Sequence, residues 1–137
     1  MSSASSQSKT AASPRWSANP DEPLLAVRDL CVEYLTPAGP VCAADHVSFT
    51  LHPGEIFGLA GESGSGKSTV AHALMRTLHA PALITGGSVR FNGLELLDLD
   101  AEAMRKVRWS EMAMVFQSAM NALNPVLSIG EQIIDVI

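Results

Sequence analysis

Three things are scarce in this chain, and each shortage removes a class of function. Cysteine comes first: Cys31 and Cys42 stand eleven residues apart in 137, with no C-x-x-C and no histidine at ligand spacing. They read as two reduced, small apolar residues rather than as a disulfide or a zinc site. Basic charge is also short, with nine bases against fourteen acids and a net charge of −5. This argues against a general nucleic-acid surface, and no basic cluster restores one. Long apolar runs are missing too. No window approaches the ~20 apolar residues of a membrane span, so any membrane contact goes through a partner. Residues 1–23 are rich in Ser, Ala and Pro, with no continuous apolar run and hence no secretory signal. A disordered leader is expected there, followed by one domain over 24–137.

What is present is more specific. Gly61-Glu62-Ser63-Gly64-Ser65-Gly66-Lys67-Ser68-Thr69 is a full match to the phosphate-binding pattern G-x-x-x-x-G-K-[ST]. Glycines let the backbone turn tightly enough for successive N–H groups to surround a phosphate. Lys67 adds a point charge toward the β- and γ-phosphates, and the Ser68 hydroxyl is placed to ligate Mg²⁺. The flanks suit this chemistry. Ile56 to Ala60 reads as a short buried strand, and Val70, Ala71, Leu74, Met75 and Leu78 recur at helical spacing after the loop. Strand, glycine loop and helix is the order that points free N–H groups at an anion.

Along the rest of the chain, Leu30, Val32 and Tyr34 alternate as in a half-buried strand. The stretch Thr36-Pro37-Ala38-Gly39-Pro40 turns it, and Val41 to Ala44 pair back. Val47, Phe49 and Leu51 alternate again, and His52-Pro53-Gly54-Glu55 turns toward Ile56. These segments predict a small antiparallel sheet ahead of the loop. Beyond the loop helix, Pro81 and Gly86-Gly87 read as a connection. Val89 and Phe91 read as a strand closed by an Asn92-Gly93 hairpin turn. Asp98 or Asp100 can cap a helix over Ala101 to Arg108. Met112 to Phe116 is an unbroken apolar run, expected as a strand buried on both faces and ending at Gln117. Ser128 and Glu131 have capping-box spacing, opening a helix with Ile129, Ile133, Val136 and Ile137 along it. The pattern stops without a closing signal, as if the chain were cut.

From about Leu24 to Ile137 the chain resembles the N-terminal half of an ABC-transporter ATP-binding subunit. It is most similar to the dipeptide/oligopeptide/nickel importer group. The glycine loop, Met114-Val115-Phe116-Gln117, Leu123-Asn124-Pro125 and Val126 to Ile133 carry the resemblance. It implies an α/β fold, a P-loop NTPase core of ABC ATPase type with an N-terminal antiparallel β-subdomain, incomplete at its C-terminus. It implies ATP and Mg²⁺ as ligands, with Gly61 to Thr69 on the phosphates. Tyr34 matches the family's adenine-stacking aromatic, although its pattern alone suits an ordinary strand aromatic. Gln117 matches the glutamine that contacts Mg²⁺ and the attacking water, where pattern alone offers a polar strand end. Ser118 to Ile129 match the segment that meets the membrane-spanning permease subunits, with Ser118-Ala119 standing where the group often has an acid and a proline. A second ATP-binding subunit and a place on the inner face of the cell membrane follow from the same resemblance.

The resemblance also exposes absences. Hydrolysis in this family needs an apolar strand ending in Asp-Glu, an L-S-G-G-Q signature and a switch histidine. Met112 to Phe116 ends in glutamine, no signature occurs, and no histidine follows His79. His46, His52, His72 and His79 read as surface or turn residues. The expected function is ATP binding in a truncated subunit of a peptide-type importer. A non-catalytic nucleotide-binding module and a non-functional remnant are the alternatives.

Overall fold

The alternating apolar residues of the N-terminal part become a four-stranded antiparallel sheet. In the computed structural model, which describes residues 22–116 and 124–134, β1 (Leu25–Thr36) pairs with β2 (Gly39–Leu51) across a turn at Pro37-Ala38. On its other side β1 pairs with β3 (Ala82–Phe91), and β3 pairs with the two-residue β4 (Leu94–Glu95), giving the order β2-β1-β3-β4. Val27, Leu30 and Val32 of β1 and Val89 of β3 are almost wholly buried, which is the half-buried pattern that alternation predicts. The hairpin turn at Asn92-Gly93 forms as expected. Both residues have positive φ, 48° and 78°, as a type I′ turn requires.

Gly86-Gly87 is not a connection: both glycines lie inside β3. The register between β1 and β3 slips between Arg28 and Cys31, where β1 bulges and Asp29 takes φ 47°. Gly87, at φ 98°, fits beneath that bulge. A Cβ there would stand 2.6 Å from Asp29 O and Leu30 Cα. The glycine pair is therefore a packing requirement of a strand, not a linker signal.

The helix after the loop, α1 (Lys67–Leu74), buries Val70 and Ala73 and ends earlier than its apolar spacing suggests, so Leu78 lies beyond it. Arg76 adopts φ 48°, while Thr77 N–H bonds to His72 O and Arg76 N–H to Ala73 O. This is a Schellman end with arginine where glycine is usual. The Arg76 guanidinium reaches the carbonyls of Leu96 and Leu99, which compensates the unusual backbone.

Two expected strands do not form. Neither Ile56 to Ala60 nor Met112 to Phe116 is in a strand; Ile56 is 98% and Val115 97% exposed. An apolar run becomes a strand only where neighbours accept and donate its backbone hydrogen bonds. Neither run belongs to the four-stranded sheet of the described residues.

Two compact units are separated at Leu99/Asp100. In the second, Asp100 rather than Asp98 caps α2 (Ala101–Ser110), accepting Ala103 N–H at 2.7 Å. The capping box forms at α3 (Ile129–Ile134): Ser128 N–H bonds to Glu131 Oε2 at 2.9 Å, and Glu131 N–H to Ser128 Oγ at 3.3 Å. Val136 and Ile137 lie outside the described residues, as does the expected leader up to residue 21.

A two-residue strand needs outside help, and Glu95 supplies it. Partial burial alone would raise its carboxyl, but bonds from Ser88 Oγ, Val89 N–H and Leu97 N–H, with the Arg90 charge, hold it below the ordinary 4.5. A depressed folded-state value contributes stability above the unfolded value and loses it as pH falls through the folded one. Glu95→Gln is expected to lower the urea midpoint at about pH 7 and to flatten its decline toward about pH 3. Urea unfolding of both proteins across that range checks this.

Candidate functional site

The loop from Gly61 to Gly66 leads directly into α1. Ser65 N–H closes a turn onto Glu62 O at 3.2 Å, and Val70 N–H onto Gly66 O at 2.9 Å starts the helix. Gly66 is the N-cap, at φ 87° and ψ 2°, and offers no side chain to cap the first turn. The first turn carries no acid either. Its leading amides therefore have no intrahelical acceptor, and the positive end of the helix dipole adds to them.

Gly66 is required twice over. Its φ favours glycine, and a Cβ would come within 2.1 Å of Ala43 O on β2. The loop thus sits hard against the strand beside it. Gly61 is crowded from within the loop, where a Cβ would meet Ser65 Oγ at 2.7 Å.

Lys67 folds back across the loop. Its Nζ donates to Gly61 O at 2.8 Å, Glu62 O at 2.6 Å and Ser65 Oγ at 3.2 Å. Carbonyls and a hydroxyl satisfy the ammonium's hydrogen bonds without neutralising its charge, so the mouth of the loop stays electropositive. Ser68 is exposed on the first turn, where its hydroxyl can reach a cation; Ser63 and Gly64 are exposed at the loop tip.

A cleft of about 400 Å³ runs between the loop and β2, lined by Cys42 to Asp45, Val47, Leu59 to Gly61, Ser65 to Lys67 and Val70. Tyr34 is half-buried on β1, and its hydroxyl lies 3.5 Å from Thr69 Oγ1 on α1. The structure thus brings Tyr34, Lys67, Ser68 and Thr69 into one neighbourhood with the glycines. Gln117 lies outside the described residues, and so does the segment from Ser118 to Leu123.

One polar anchor has no signal in the motif reading. Gln132 accepts Asn124 N–H at 2.8 Å and donates to Asn124 O at 3.0 Å and Leu127 O at 3.1 Å. It fastens the segment entering α3 to the helix itself. Only its helical phase relative to Ser128 could have hinted at this role.

Residues 44–136 match the ABC transporter family. The chain is 46% identical over 114 residues to the oligopeptide transport ATP-binding protein OppD of Escherichia coli (strain K12), covering 83% of this chain and 34% of that protein. It is 44% identical over 115 residues to OppD of Haemophilus influenzae, covering 84% of this chain and 35% of the other. Against the peptidoglycan transport ATP-binding protein YejF of Agrobacterium fabrum it is 43% identical over 117 residues, 85% and 21% of the two lengths. The chain spans about a third of the OppD proteins it matches. Among the described residues, no helix is long and apolar enough to cross a membrane.

Gly66→Ala is expected to push the loop away from Ala43 and loosen the start of α1. Hydrogen exchange should then quicken at the Val70 amide by at least tenfold, while the Val89 amide in β3 stays protected. Equal loss at both amides would mean global unfolding instead.

Proposed function

The chain belongs to the ABC transporter family, and on that premise we propose that it binds ATP as the nucleotide-binding part of an importer subunit for peptides or similar small solutes. One observation carries the reading: an uncapped helix start, entered through a glycine packed on β2 and overlaid by the Lys67 ammonium. That set of donors suits a polyphosphate. Backbone amides of Gly61 to Thr69 would surround the phosphates, Lys67 would offset their charge, and Ser68 would hold Mg²⁺. Tyr34 would stack on the adenine, and Gln117 would share the metal and the attacking water. Bound Mg²⁺ supplies charge neutralisation at the phosphates; the chain's own residues position them.

The relatives' names connect them to oligopeptide and peptidoglycan transport. We extend this to the present chain as one ATP-binding subunit of a pair, seated on permease subunits at the inner membrane face through Ser118 to Ile129. The exposed Ile56 and Val115 support a P-loop core whose parallel strands are completed by sequence of the kind the longer relatives carry. Residues 24–137 would be the first part of that domain and 1–23 a leader. Coupling of hydrolysis to transport belongs to the whole protein, which would add the acidic strand end and the signature.

Binding of a fluorescent ATP analogue with Mg²⁺ tests the site. A charged hydrogen bond is worth about 1.5–3 kcal/mol, so Lys67→Ala should weaken binding about ten- to hundredfold. Unchanged affinity would remove the loop from the site. For the adenine, Tyr34→Ala should cost about 1–3 kcal/mol of binding while Tyr34→Phe stays near the parent. Equal losses in both variants would assign Tyr34 to support of Thr69 rather than to stacking.

A further inference from the structure

A strand irregularity between β1 and β2 collects three side chains that spacing alone keeps apart. The β1–β2 register slips between Leu30 and Val32, and His46 takes φ 47° where β2 bends through the irregularity. The bend turns His46 N–H onto Cys31 Sγ at 3.4 Å and brings His46 Nδ1 to 2.7 Å from Asp45 Oδ1. The ligating atoms of Cys31, Asp45 and His46 all lie within 4.8 Å of one another. Cys31 is half-buried and oriented by that amide, whereas Asp45 and His46 are open to solvent.

From this geometry we propose that Cys31, Asp45 and His46 form a binding site for a thiophilic divalent ion of the Zn²⁺ class. The donor set is one sulfur, one imidazole nitrogen and one carboxylate oxygen. That combination suits Zn²⁺ and disfavours Mg²⁺ and Ca²⁺, which take oxygen ligands. Zinc bonds of about 2.0–2.3 Å hold ligand atoms roughly 3.5 Å apart. Separations up to 4.8 Å therefore close by about an ångström while His46 Nδ1 and Asp45 Oδ1, 2.7 Å apart, open by somewhat less, movements that rotation of the two exposed side chains supplies. The ion replaces the proton between His46 Nδ1 and Asp45 Oδ1 or takes the ring's other nitrogen. Cys31 loses its thiol proton to solvent as the S–Zn bond forms, and water fills the open fourth position.

The site is independent of the nucleotide reading, but a mechanical link joins them. Asp45 lies two residues beyond Ala43, the carbonyl against which Gly66 packs. An ion clamped between β1 and the Asp45-His46 bend would stiffen the strand that backs the loop.

The test titrates Co²⁺, then Zn²⁺ in competition with a chromophoric chelator, into the full 137-residue chain under a non-thiol reductant. A single saturable site with a thiolate-to-cobalt charge-transfer band is expected. Cys31→Ser should abolish the band. Both Cys31→Ser and His46→Asn should weaken Zn²⁺ by at least the ~10-fold that loss of even an outer ligand partner costs. Asparagine tolerates the positive φ at position 46, so that variant keeps the fold even if Cys31→Ser does not. Cys42→Ser, whose thiol bonds along its own strand to Ala44 O, should leave the band in place. Absence of saturable binding, a band lost with Cys42 instead of Cys31, or affinity unchanged in His46→Asn would overturn the assignment.

Discussion

The arrangement rests on one close approach, the Gly66 backbone against the Ala43 carbonyl. No other residue type fits at position 66, because both its left-handed φ and its distance from β2 exclude a Cβ. That contact sets where the loop leaves the sheet and hence where α1 begins. Pairing on either side of the contact, Val32 with Ala44 and Glu33 with Cys42, ties this part of β2 to β1 across a register shift. Lys67 then has only to fold over a loop already positioned.

Successive residues of a strand point to opposite faces, so β1 serves two environments. Tyr34 leaves it toward Thr69 and the glycine loop, while Cys31 leaves it toward His46. The buried Leu30 and Val32 hold the strand between them.

Features that depend on neighbours in sequence were legible without coordinates. Leu30, Val32 and Tyr34 announced β1 by alternation, Asn92-Gly93 announced its hairpin, and Ser128 with Glu131 announced α3. What stayed hidden depends on groups far away in the chain. Gly86-Gly87 looked like a linker because the Asp29 bulge it accommodates lies nearly sixty positions earlier. Ile56 to Ala60 and Met112 to Phe116 have strand composition, yet composition supplies no hydrogen-bond partner. Of the candidate nucleotide residues, the motif places Gly61 to Thr69 as a unit because they are contiguous. The proximity of Tyr34 to Thr69 needed the fold, or the family, to be seen. Cys31 and His46 met through a register slip that no spacing rule encodes.

The end of α1 shows a different kind of dependence. Arg76 stands where glycine would ordinarily stop the helix, and its guanidinium fastens to two main-chain oxygens, those of Leu96 and Leu99. Every amino acid carries a carbonyl, so exchanging the side chains at 96 and 99 does not by itself remove the acceptors. The constraint falls on one partner alone. Both bonds leave from the same nitrogen, Nη1, so the two acceptors converge on one end of the side chain at 76. Mutational tolerance across this junction is therefore lopsided, with one side of the bond written in the main chain and the other in a single side chain.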